Sequence, residues 1–365
     1  MRYSLYFNLS LSLLAAVFLF IRIGLAQPKT KIGISLPLSG GSASEGLDLQ
    51  RMLLFANDKF AGSAYEMVFE DDLCSDKQAV AIAHRFAAQE KIKYVLGFAC
   101  SGAVLASAQI YEKAKVPVIA LATGAPEISK AGDYIFRTIP SLDIAARKLW
   151  EHAAQRYKKV GILSEETAYC QGLARSFIEY NIDSAMQIDS ESFLPETSDF
   201  RTQLLKFRQK GVEALFLNPQ SETGMIRLYG QLLDLNWKVP VYAAYYPGFS
   251  EFLEKFGGRG DGIVFADLPF VSDSLDGSGK QLYEIYKSRH GSPQSSEFYF
   301  VTTLAAFYAL HEAIQSETDV REYLYSHPFQ GFFGSFRFDS NGDVQGDRLT
   351  FILKTLRGGK PAALD

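Results

Sequence analysis

Long apolar segments and basic clusters are both scarce in this sequence of 365 residues. After residue 26, no stretch stays apolar over the roughly 20 residues that a membrane-spanning helix needs. Lysine and arginine number 37 against 41 aspartates and glutamates, which gives a net charge of -4. Because no basic stripe interrupts this balance, nucleic acid is not an expected partner.

Motifs for enzymatic chemistry are missing as well. The five histidines show neither an HExxH motif nor a paired metal spacing, and the Gly-x-Ser-x-Gly elbow of α/β hydrolases does not occur. Residues 277–281 lack the upstream glycine of a phosphate loop, and residues 339–350 lack the turn glycine and the bidentate glutamate of a calcium loop. We therefore predict no enzyme activity, no metal site and no cofactor.

The first 26 residues have the pattern of a secretory signal peptide. Arg2 precedes an apolar core at residues 9–20, and Gly24-Leu25-Ala26 offers the small residues that signal peptidase prefers. The alternative is an uncleaved membrane anchor, but the apolar core is shorter than a spanning helix requires. We expect export and cleavage after Ala26, into a compartment in which disulfides form.

Short β-branched or aromatic runs alternate with amphipathic segments through the rest of the chain. The segment 47–60, for example, carries Leu49, Met52, Leu53 and Ala56 at helical spacing. The runs that we interpret as buried strands fall into two groups, 31–38, 65–71, 94–99 and 116–122, then 158–164, 214–218, 239–244 and 262–266. This alternation predicts an α/β fold of two doubly wound parallel-sheet lobes, and a hydrophobic share of 47% is ample for two cores.

Prolines mark the expected crossings between the lobes, near Pro140 and near Leu268-Pro269. A chain that leaves the first lobe, builds the second and then returns would be joined by a multi-strand hinge. The predicted lobes are residues 27–139 plus 270–330 and residues 140–269 plus 331–365. Within the last segment, residues 333–354 indicate a strand, a turn and a second strand.

A carboxylate-binding site is expected where two strands of the first lobe end, because doubly wound sheets bind small ligands at that rim. Ser101-Gly102 opens a helix after the strand 94–99, so free backbone N–H groups and a hydroxyl point to the end of that strand. Ala122-Thr123-Gly124 ends the next strand and adds a second hydroxyl beside small residues that let a ligand approach. A plain helix cap is the alternative for Ser101. For Thr123, a structural role is as good an interpretation as ligand contact.

Two of the three cysteines lie beside this expected site. Cys74 and Cys100 stand at the ends of successive apolar runs, where a disulfide would join the loops that follow neighbouring strands. Cys170 lies near the mouth of the second lobe, and the sequence alone allows three possible pairings.

A series of motifs runs in one order from about residue 31 to about residue 354. Its members are Lys31-Ile32-Gly33-Ile34, Pro37-Leu38-Ser39-Gly40, residues 71–79, Lys93-Tyr94-Val95-Leu96-Gly97 with Cys100-Ser101, Gly124-Ala125-Pro126-Glu127, Phe136-Arg137-Thr138, Gln171-Gly172-Leu173-Ala174-Arg175 and residues 338–343. In order and number they resemble the type I periplasmic binding proteins, specifically the leucine/isoleucine/valine-binding family that delivers ligands to ABC importers. The resemblance implies a monomer in the periplasm, a ligand enclosed by hinge closure without chemistry, a membrane permease as partner, and a Cys74–Cys100 disulfide with Cys170 free.

The resemblance also assigns ligand-binding roles. Ser101 and residues 122–124 match positions that meet the ligand's carboxylate, although Thr123 stands one place earlier than the family's threonine. Relatives that bind α-amino acids pair the ammonium group with an acid in the second lobe. That position falls on Tyr245, or on Tyr246 if the register shifts by one.

Glu45, in the first-lobe loop 39–46, is a candidate substitute for the missing acid, because a desolvated ammonium needs a charged partner. Stabilisation of a helix's first turn is an equal alternative. Tyr169 matches an aromatic ligand contact of the family, and Gln220 falls in a loop that forms another wall. With Tyr245 and Tyr246 they suggest a cleft that stacks on an apolar or aromatic ligand, although each is equally compatible with the cleft rim.

The leading hypothesis is a non-enzymatic receptor of an ABC importer for an amino acid or a related small carboxylate. A periplasmic sensor that presents its ligand to a membrane signalling protein is the alternative, and a secreted hydrolase is the weakest. The ligand itself stays open, because the residues that would select its side chain are those that depart from the relatives.

Overall fold

The computed structural model of the chain describes residues 29–89, 92–346 and 348–364. The predicted signal peptide of residues 1–26 lies outside the described residues. Two sheets with helices on their faces form two lobes, as the alternation of strands and helices predicted. Within the described part of the chain, no helix has the length and apolarity needed to cross a membrane.

The strands and helices are numbered in chain order. The strands are β1 Thr30–Leu36, β2 Tyr65–Asp71, β3 Tyr94–Gly97, β4 Val118–Ala120, β5 Ile135–Arg137, β6 Lys159–Glu165, β7 Gln187–Phe193, β8 Ala214–Asn218, β9 Val241–Ala244, β10 Val264–Asp267, β11 Phe329–Gly331, β12 Gly334–Phe338, β13 Val344–Gln345, β14 Ile352–Arg357 and β15 Lys360–Ala363. The helices are α1 Ala43–Ala61, α2 Asp76–His84, α3 Ser101–Ala114, α4 Leu142–Ala154, α5 Ala168–Tyr180, α6 Arg201–Gln209, α7 Glu222–Asp234, α8 Ser250–Phe256, α9 Val271–Ser274, α10 Gly277–His290, α11 Tyr299–Gln315 and α12 Val320–Ser326.

The first lobe contains a parallel sheet in the order β2-β1-β3-β4-β5. Four of its strands, β1, β3, β4 and β5, are largely buried, whereas the edge strand β2 is mostly half-buried. Helix α1 packs beside them with the predicted face of Leu49, Met52, Leu53 and Ala56 buried. Gly46 lets the first turn of α1 approach the end of β1, because a Cβ atom there would lie 2.0 Å from the carbonyl oxygen of Pro37. The carboxyl end of the sheet and the start of α1 therefore meet at one rim.

The second lobe is built on a sheet in the order β15-β14-β10-β9-β8-β6-β7. Strands β6 to β10 are mutually parallel, whereas β14 runs antiparallel to β10 and β15 antiparallel to β14. The last two strands extend the sheet at the edge formed by β10. The carboxyl ends of β6, β8 and β9 therefore form one rim of the second lobe.

The division of the chain differs from the prediction at residues 331–345, which we assigned to the second lobe. Strands β11, β12 and β13 form a small antiparallel sheet, and Phe338 packs on Phe136 of β5 with ring centroids 5.2 Å apart. Arg137 also bridges to Asp343. These contacts hold residues 331–345 on the first lobe. Of the predicted strand, turn and strand within 333–354, the first strand is β12 and the turn follows it at residues 339–343, but the second strand is wrong, because β12 pairs with β13 and β14 joins the second sheet.

The two lobes are in contact. The backbone N–H of Ser250 in α8 donates to the carbonyl of Gln294 at 3.0 Å, and Arg175 of α5 forms an ion pair with Glu127 of the first lobe. The chain crosses between the lobes after β5, after β10 and between β13 and β14. The described conformation therefore has a closed cleft between the two strand-end rims.

Candidate functional site

Ser101 is the first residue of α3 and lies directly after β3. It is almost fully buried, and its Oγ accepts a hydrogen bond of 3.2 Å from the backbone N–H of Ala125. The helix cap itself is Cys100, whose side chain makes no capping hydrogen bond. Ser101 therefore joins the rim after β3 to the segment after β4, and its own O–H is free to donate to a ligand.

Thr123 lies in that second segment and is 0% exposed. Its Oγ1 has no hydrogen-bond partner among the described residues. A buried hydroxyl without a partner costs about 1–3 kcal/mol, so a ligand that supplied the partner would recover this energy. Gly124 keeps the segment close to the crossing, because a Cβ atom there would lie 2.7 Å from Leu142 Cγ at the start of α4. With Ala122 beside them, the predicted carboxylate-binding residues come together.

Arg137 also fixes the segment after β4, residues 122–125, a role that the sequence analysis did not predict. Its guanidinium is buried and donates from Nε and Nη2 to the two carboxylate oxygens of Asp343, at 2.6 and 2.9 Å. Its Nη1 donates to the carbonyl of Ala125 at 2.8 Å. The only sequence signal was the Phe136-Arg137-Thr138 motif. Arg137, fixed by its salt bridge to Asp343, thus binds the carbonyl of Ala125, and the N–H of Ala125 in turn donates to the Ser101 hydroxyl.

Cys74 and Cys100 are joined by a disulfide, with Cα atoms 5.4 Å apart. This is the pairing that the resemblance implied, and it ties the loop after β2 to the start of α3. Cys170 is buried and unbonded. The disulfide therefore lies next to Ser101, on the first-lobe side of the cleft.

Three tyrosines line the second-lobe side. The rings of Tyr169 and Tyr245 lie 6.4 Å apart and those of Tyr245 and Tyr246 lie 6.5 Å apart, and all three are buried. The Tyr169 hydroxyl has no partner among the described residues, whereas the Tyr246 hydroxyl donates to the carbonyl of Gln220. The half-buried Gln220 thus contributes its backbone to this wall. The arrangement is an aromatic surface with one free hydroxyl.

Tyr245 has a positive φ outside the left-handed helical region, with φ 46° and ψ -63°. Such a conformation costs about 1–3 kcal/mol in a bulky residue and persists only where the surrounding structure imposes it. Here the backbone N–H of Tyr245 donates to the carbonyl of Ala266 at 2.9 Å. The turn after β9 is therefore held in a strained form that presents two successive tyrosines to the cleft.

Tyr299, the first residue of α11, is a buried residue from the first lobe that sequence reasoning missed. Burial, and after it the charge of Glu45, raises the pKa of its hydroxyl well above the usual value. Burial is also the main cause of the raised pKa values of Tyr169, Tyr245 and Tyr246, and Glu45 adds to each of them. All four tyrosines therefore surround Glu45 as neutral phenols.

Glu45 lies in the first turn of α1 and is 4% exposed. Burial, and after it the nearby charges of Glu222 and Asp48, raises its pKa to about 8. Glu222, the first residue of α7, is 3% exposed, and burial raises its pKa to about 7. Neither glutamate takes part in a salt bridge with any described residue. A buried carboxyl without a cation is costly unless it is neutral, so both sites favour a cationic partner.

The cleft therefore offers two kinds of polar group on an aromatic surface. Hydroxyls and main-chain amides at the first-lobe rim suit a carboxylate, and the glutamates suit a cationic nitrogen. Among the described residues, no cluster of three or more His, Cys, Asp or Glu side chains is arranged to hold a metal ion. The geometry is that of a reversible binding site for a small polar molecule.

Comparison with known proteins agrees with this geometry. A family model described as "Periplasmic binding protein" matches residues 29–360. The leucine-, isoleucine-, valine-, threonine- and alanine-binding protein of Pseudomonas aeruginosa is 27% identical over 345 residues, which cover 89% of this chain and 90% of that protein.

Two solved structures have the same fold. The branched-chain amino acid transporter substrate-binding protein of Streptococcus pneumoniae, in complex with isoleucine, matches with a TM-score of 0.80 at 20% identity, over 92% of this chain and 98% of that chain. An ABC-transporter solute-binding protein of R. palustris, in complex with benzoate, matches with a TM-score of 0.81 at 18% identity, over 92% and 96%. At these identities, the likeness concerns the fold alone.

Proposed function

The chain belongs to the periplasmic binding protein family, and from that premise we propose that it is the ligand receptor of an ABC importer for an amino acid or a related small carboxylate. The family's members bind solutes and are not enzymes, and the relative from Pseudomonas aeruginosa is named for the amino acids it binds. In this proposal the lobes close over the ligand by a hinge at the three crossings, and no bond of the ligand is changed.

The single observation that carries the proposal is the Thr123 hydroxyl, which is buried in the closed cleft without a hydrogen-bond partner among the described residues. A carboxylate oxygen of the ligand accepts from Thr123 and from Ser101, and the amides at the start of α3 add their partial positive charge. In this assignment the segment 122–124 is the carboxylate-binding subsite.

Glu45 of the first lobe and the tyrosines of the second lobe support an amino acid over an acid without nitrogen. Glu45 takes the place of the missing second-lobe acid and pairs with the ammonium group of the ligand. Tyr169, Tyr245 and Tyr246 contact the apolar part of the ligand, and the backbone of Gln220 supports them. A benzoate-like ligand, as in the R. palustris relative, would leave Glu45 unpaired.

The proposed setting follows from the same family. The chain is exported with cleavage of residues 1–26, acts in the periplasm as a monomer, and delivers its ligand to a membrane permease. Deletion of residues 2–26 in a cell that secretes the protein is expected to retain it in the cytoplasm, where the Cys74–Cys100 disulfide does not form.

Isothermal titration calorimetry tests the ligand class. The purified protein, unfolded and refolded to remove any ligand carried through purification, is titrated with single amino acids, aromatic acids and amides. We expect saturable binding of at least one α-amino acid with a 1:1 stoichiometry. Absence of binding across the whole panel would contradict the proposal.

A further inference from the structure

Glu45 and Glu222 come from opposite lobes and lie near each other in the closed cleft. A Cβ atom on Gly41, in the loop before α1, would lie 3.6 Å from the Oγ of Ser221, the residue before Glu222, and the charge of Glu222 helps to raise the pKa of Glu45. Glu45 begins α1 of the first lobe, and Glu222 begins α7 of the second. A chain of hydrogen bonds joins their neighbourhoods: Phe252 N–H donates to Glu222 Oε1 at 3.0 Å, Ser250 N–H to the carbonyl of Gln294, and Gln294 N–H to Asp48. The two glutamates are therefore brought together only when the lobes are shut.

Among the described residues, no lysine, arginine or histidine forms an ion pair with either glutamate. Asp48 from α1 and Glu251 from α8 raise the pKa values of the pair, and the charge of Glu45 in turn raises those of four tyrosines, Tyr299 from α11, Tyr169 from α5, and Tyr245 and Tyr246 from the turn after β9. Arg51 is paired with Asp48, which also accepts from Gln294 N–H and Ser295 N–H. The cations elsewhere in the cleft walls, Lys354 and Arg137, are each paired with an aspartate.

We propose that Glu45 and Glu222 form a two-lobe cation subsite that requires a positively charged nitrogen in the ligand and that, while empty and ionised, opposes closure of the cleft. In the open form each carboxylate is hydrated and the two are apart. Closure removes that water and brings like charges together, which is unfavourable until a cation neutralises them. Protonation at low pH has the same effect as a cation, because burying a neutral glutamic acid on closure costs less free energy than burying a charged glutamate.

The direction of the pH effect follows from the raised pKa values of the closed form, about 8 for Glu45 and about 7 for Glu222. The closed form binds protons more tightly than the open form, in which hydrated glutamates have pKa values of about 4.3. Lowering the pH therefore shifts the empty protein towards closure. Raising the pH opens it.

Small-angle X-ray scattering of the ligand-free protein tests this without any ligand. We expect the radius of gyration of the wild type to fall between about pH 9 and about pH 5. The double variant Glu45→Gln with Glu222→Gln should be compact at both pH values, since glutamine keeps an acceptor for Phe252 N–H and carries no charge. Glu254→Gln, an exposed change on α8, is the matched control and should follow the wild type. A radius of gyration that is independent of pH, or an equal pH response in the double variant, overturns the proposal.

Calorimetry with matched ligands tests the requirement for nitrogen. The probe pairs are L-leucine with 4-methylpentanoate and L-phenylalanine with 3-phenylpropanoate, which differ only in the ammonium group. In at least one pair we expect the amino acid to bind about 100-fold more tightly or more, and Glu222→Gln to reduce that ratio at least about tenfold. Only this calorimetry experiment rests on the proposed function, since the scattering experiment uses no ligand. If the deaminated acids bind as well as the amino acids, the cation subsite is refuted while the small-carboxylate function stands. If neither these probes nor any other member of the amino-acid panel binds, the proposed function is refuted and the scattering experiment alone decides the cation subsite.

Discussion

The two walls of the cleft hold a ligand by different means. The first-lobe wall uses main-chain amides and two short hydroxyl side chains, Ser101 and Thr123, at the ends of parallel strands. The second-lobe wall uses whole side chains, Tyr169, Tyr245 and Tyr246, on a helix and a turn. The first set depends on backbone geometry that every doubly wound sheet provides, whereas the second set changes with a single substitution. In the proposed function, ligand class is therefore set by the first-lobe wall and ligand identity by the second-lobe wall.

The walls also differ in how firmly they are held. On the first lobe, a disulfide and the buried Arg137–Asp343 salt bridge fix the segments that carry Ser101 and Thr123. On the second lobe, Cys170 is unbonded and the turn after β9 holds a strained backbone. In the proposed function, a carboxylate subsite fixed by a disulfide and a salt bridge faces an aromatic wall that has neither bond, an arrangement that would let one fold accept different side chains. The following substitutions test this contrast.

Removal of the disulfide should have the largest effect. The cysteines are 26 residues apart, and the chain-entropy model for such a loop gives about 3.5 kcal/mol of stabilisation. We expect Cys74→Ser with Cys100→Ser to lower the melting temperature by on the order of 10 °C in calorimetry of the ligand-free protein. Cys170→Ala, the control on the other wall, should cost only about 1 kcal/mol, the loss expected for one small buried side chain. Equal losses in the two variants would contradict the contrast in rigidity.

Thr123→Val should separate binding from stability. Valine has the same shape, and it removes a buried hydroxyl that has no partner among the described residues, so the melting temperature should stay the same or rise. Affinity for the ligand should fall by roughly tenfold, because one hydrogen bond to a charged carboxylate is lost.

Thr138→Val is the matched control for that change. Thr138 is also fully buried, but its Oγ1 donates to the carbonyl of Ala120 at 3.4 Å. We expect this variant to lose stability and to keep its affinity. Unchanged affinity in Thr123→Val would remove the hydroxyl from the carboxylate subsite.

The sequence predicted strands with β-branched or aromatic runs and missed strands that are short, such as the buried three-residue β5, or polar. Strand β2 was predicted at its observed bounds, residues 65–71, because Tyr65, Val68 and Phe69 favour a strand, although β2 lies at the edge of its sheet and is mostly half-buried. Strand β7 was missed because Gln187–Phe193 is an edge strand of mostly polar residues. The position of residues 331–345 was also not predicted, because the contact between Phe338 and Phe136 joins residues that are far apart in the sequence, and no local pattern indicates it.

The site divides in the same way. Ser101 and Thr123 were predicted because strand ends and helix starts are visible in a sequence. Glu222 was missed because an acid at the start of a helix is usually a solvated partner of the macrodipole, and only the packing of the two lobes buries it. Tyr299 was missed for the same reason, whereas Arg137 was missed because its partner Asp343 is 206 residues away in the sequence. A local sequence pattern cannot indicate a role that depends on the contact between the two lobes.

Tyr169→Phe should have a moderate effect that sharpens the contrast between the walls. The variant removes a buried hydroxyl without a partner among the described residues and keeps the ring, so the melting temperature should not fall. A polar ligand that bonds to this hydroxyl should bind roughly 3- to 10-fold more weakly, as measured by calorimetry. Tyr246→Phe is the control, since it breaks the hydrogen bond to the carbonyl of Gln220 and should lower stability as well as affinity. Unchanged affinity in Tyr169→Phe would leave this wall with ring contacts alone.

The smallest effect is expected at the ion pair between Glu127 and Arg175, which joins the two lobes outside the buried cleft. Both side chains are about half exposed, at 41% and 53%, so water and salt screen their attraction and an exposed pair contributes about 1 kcal/mol or less. The pair exists only in the closed form, so its energy should appear in ligand affinity rather than in the stability of either lobe. Glu127→Gln and Arg175→Gln should each weaken binding less than about fivefold at low salt, and the double variant should lose no more than the single ones. If the losses in the two single variants simply add, the residues act independently and closure is governed by the buried groups alone.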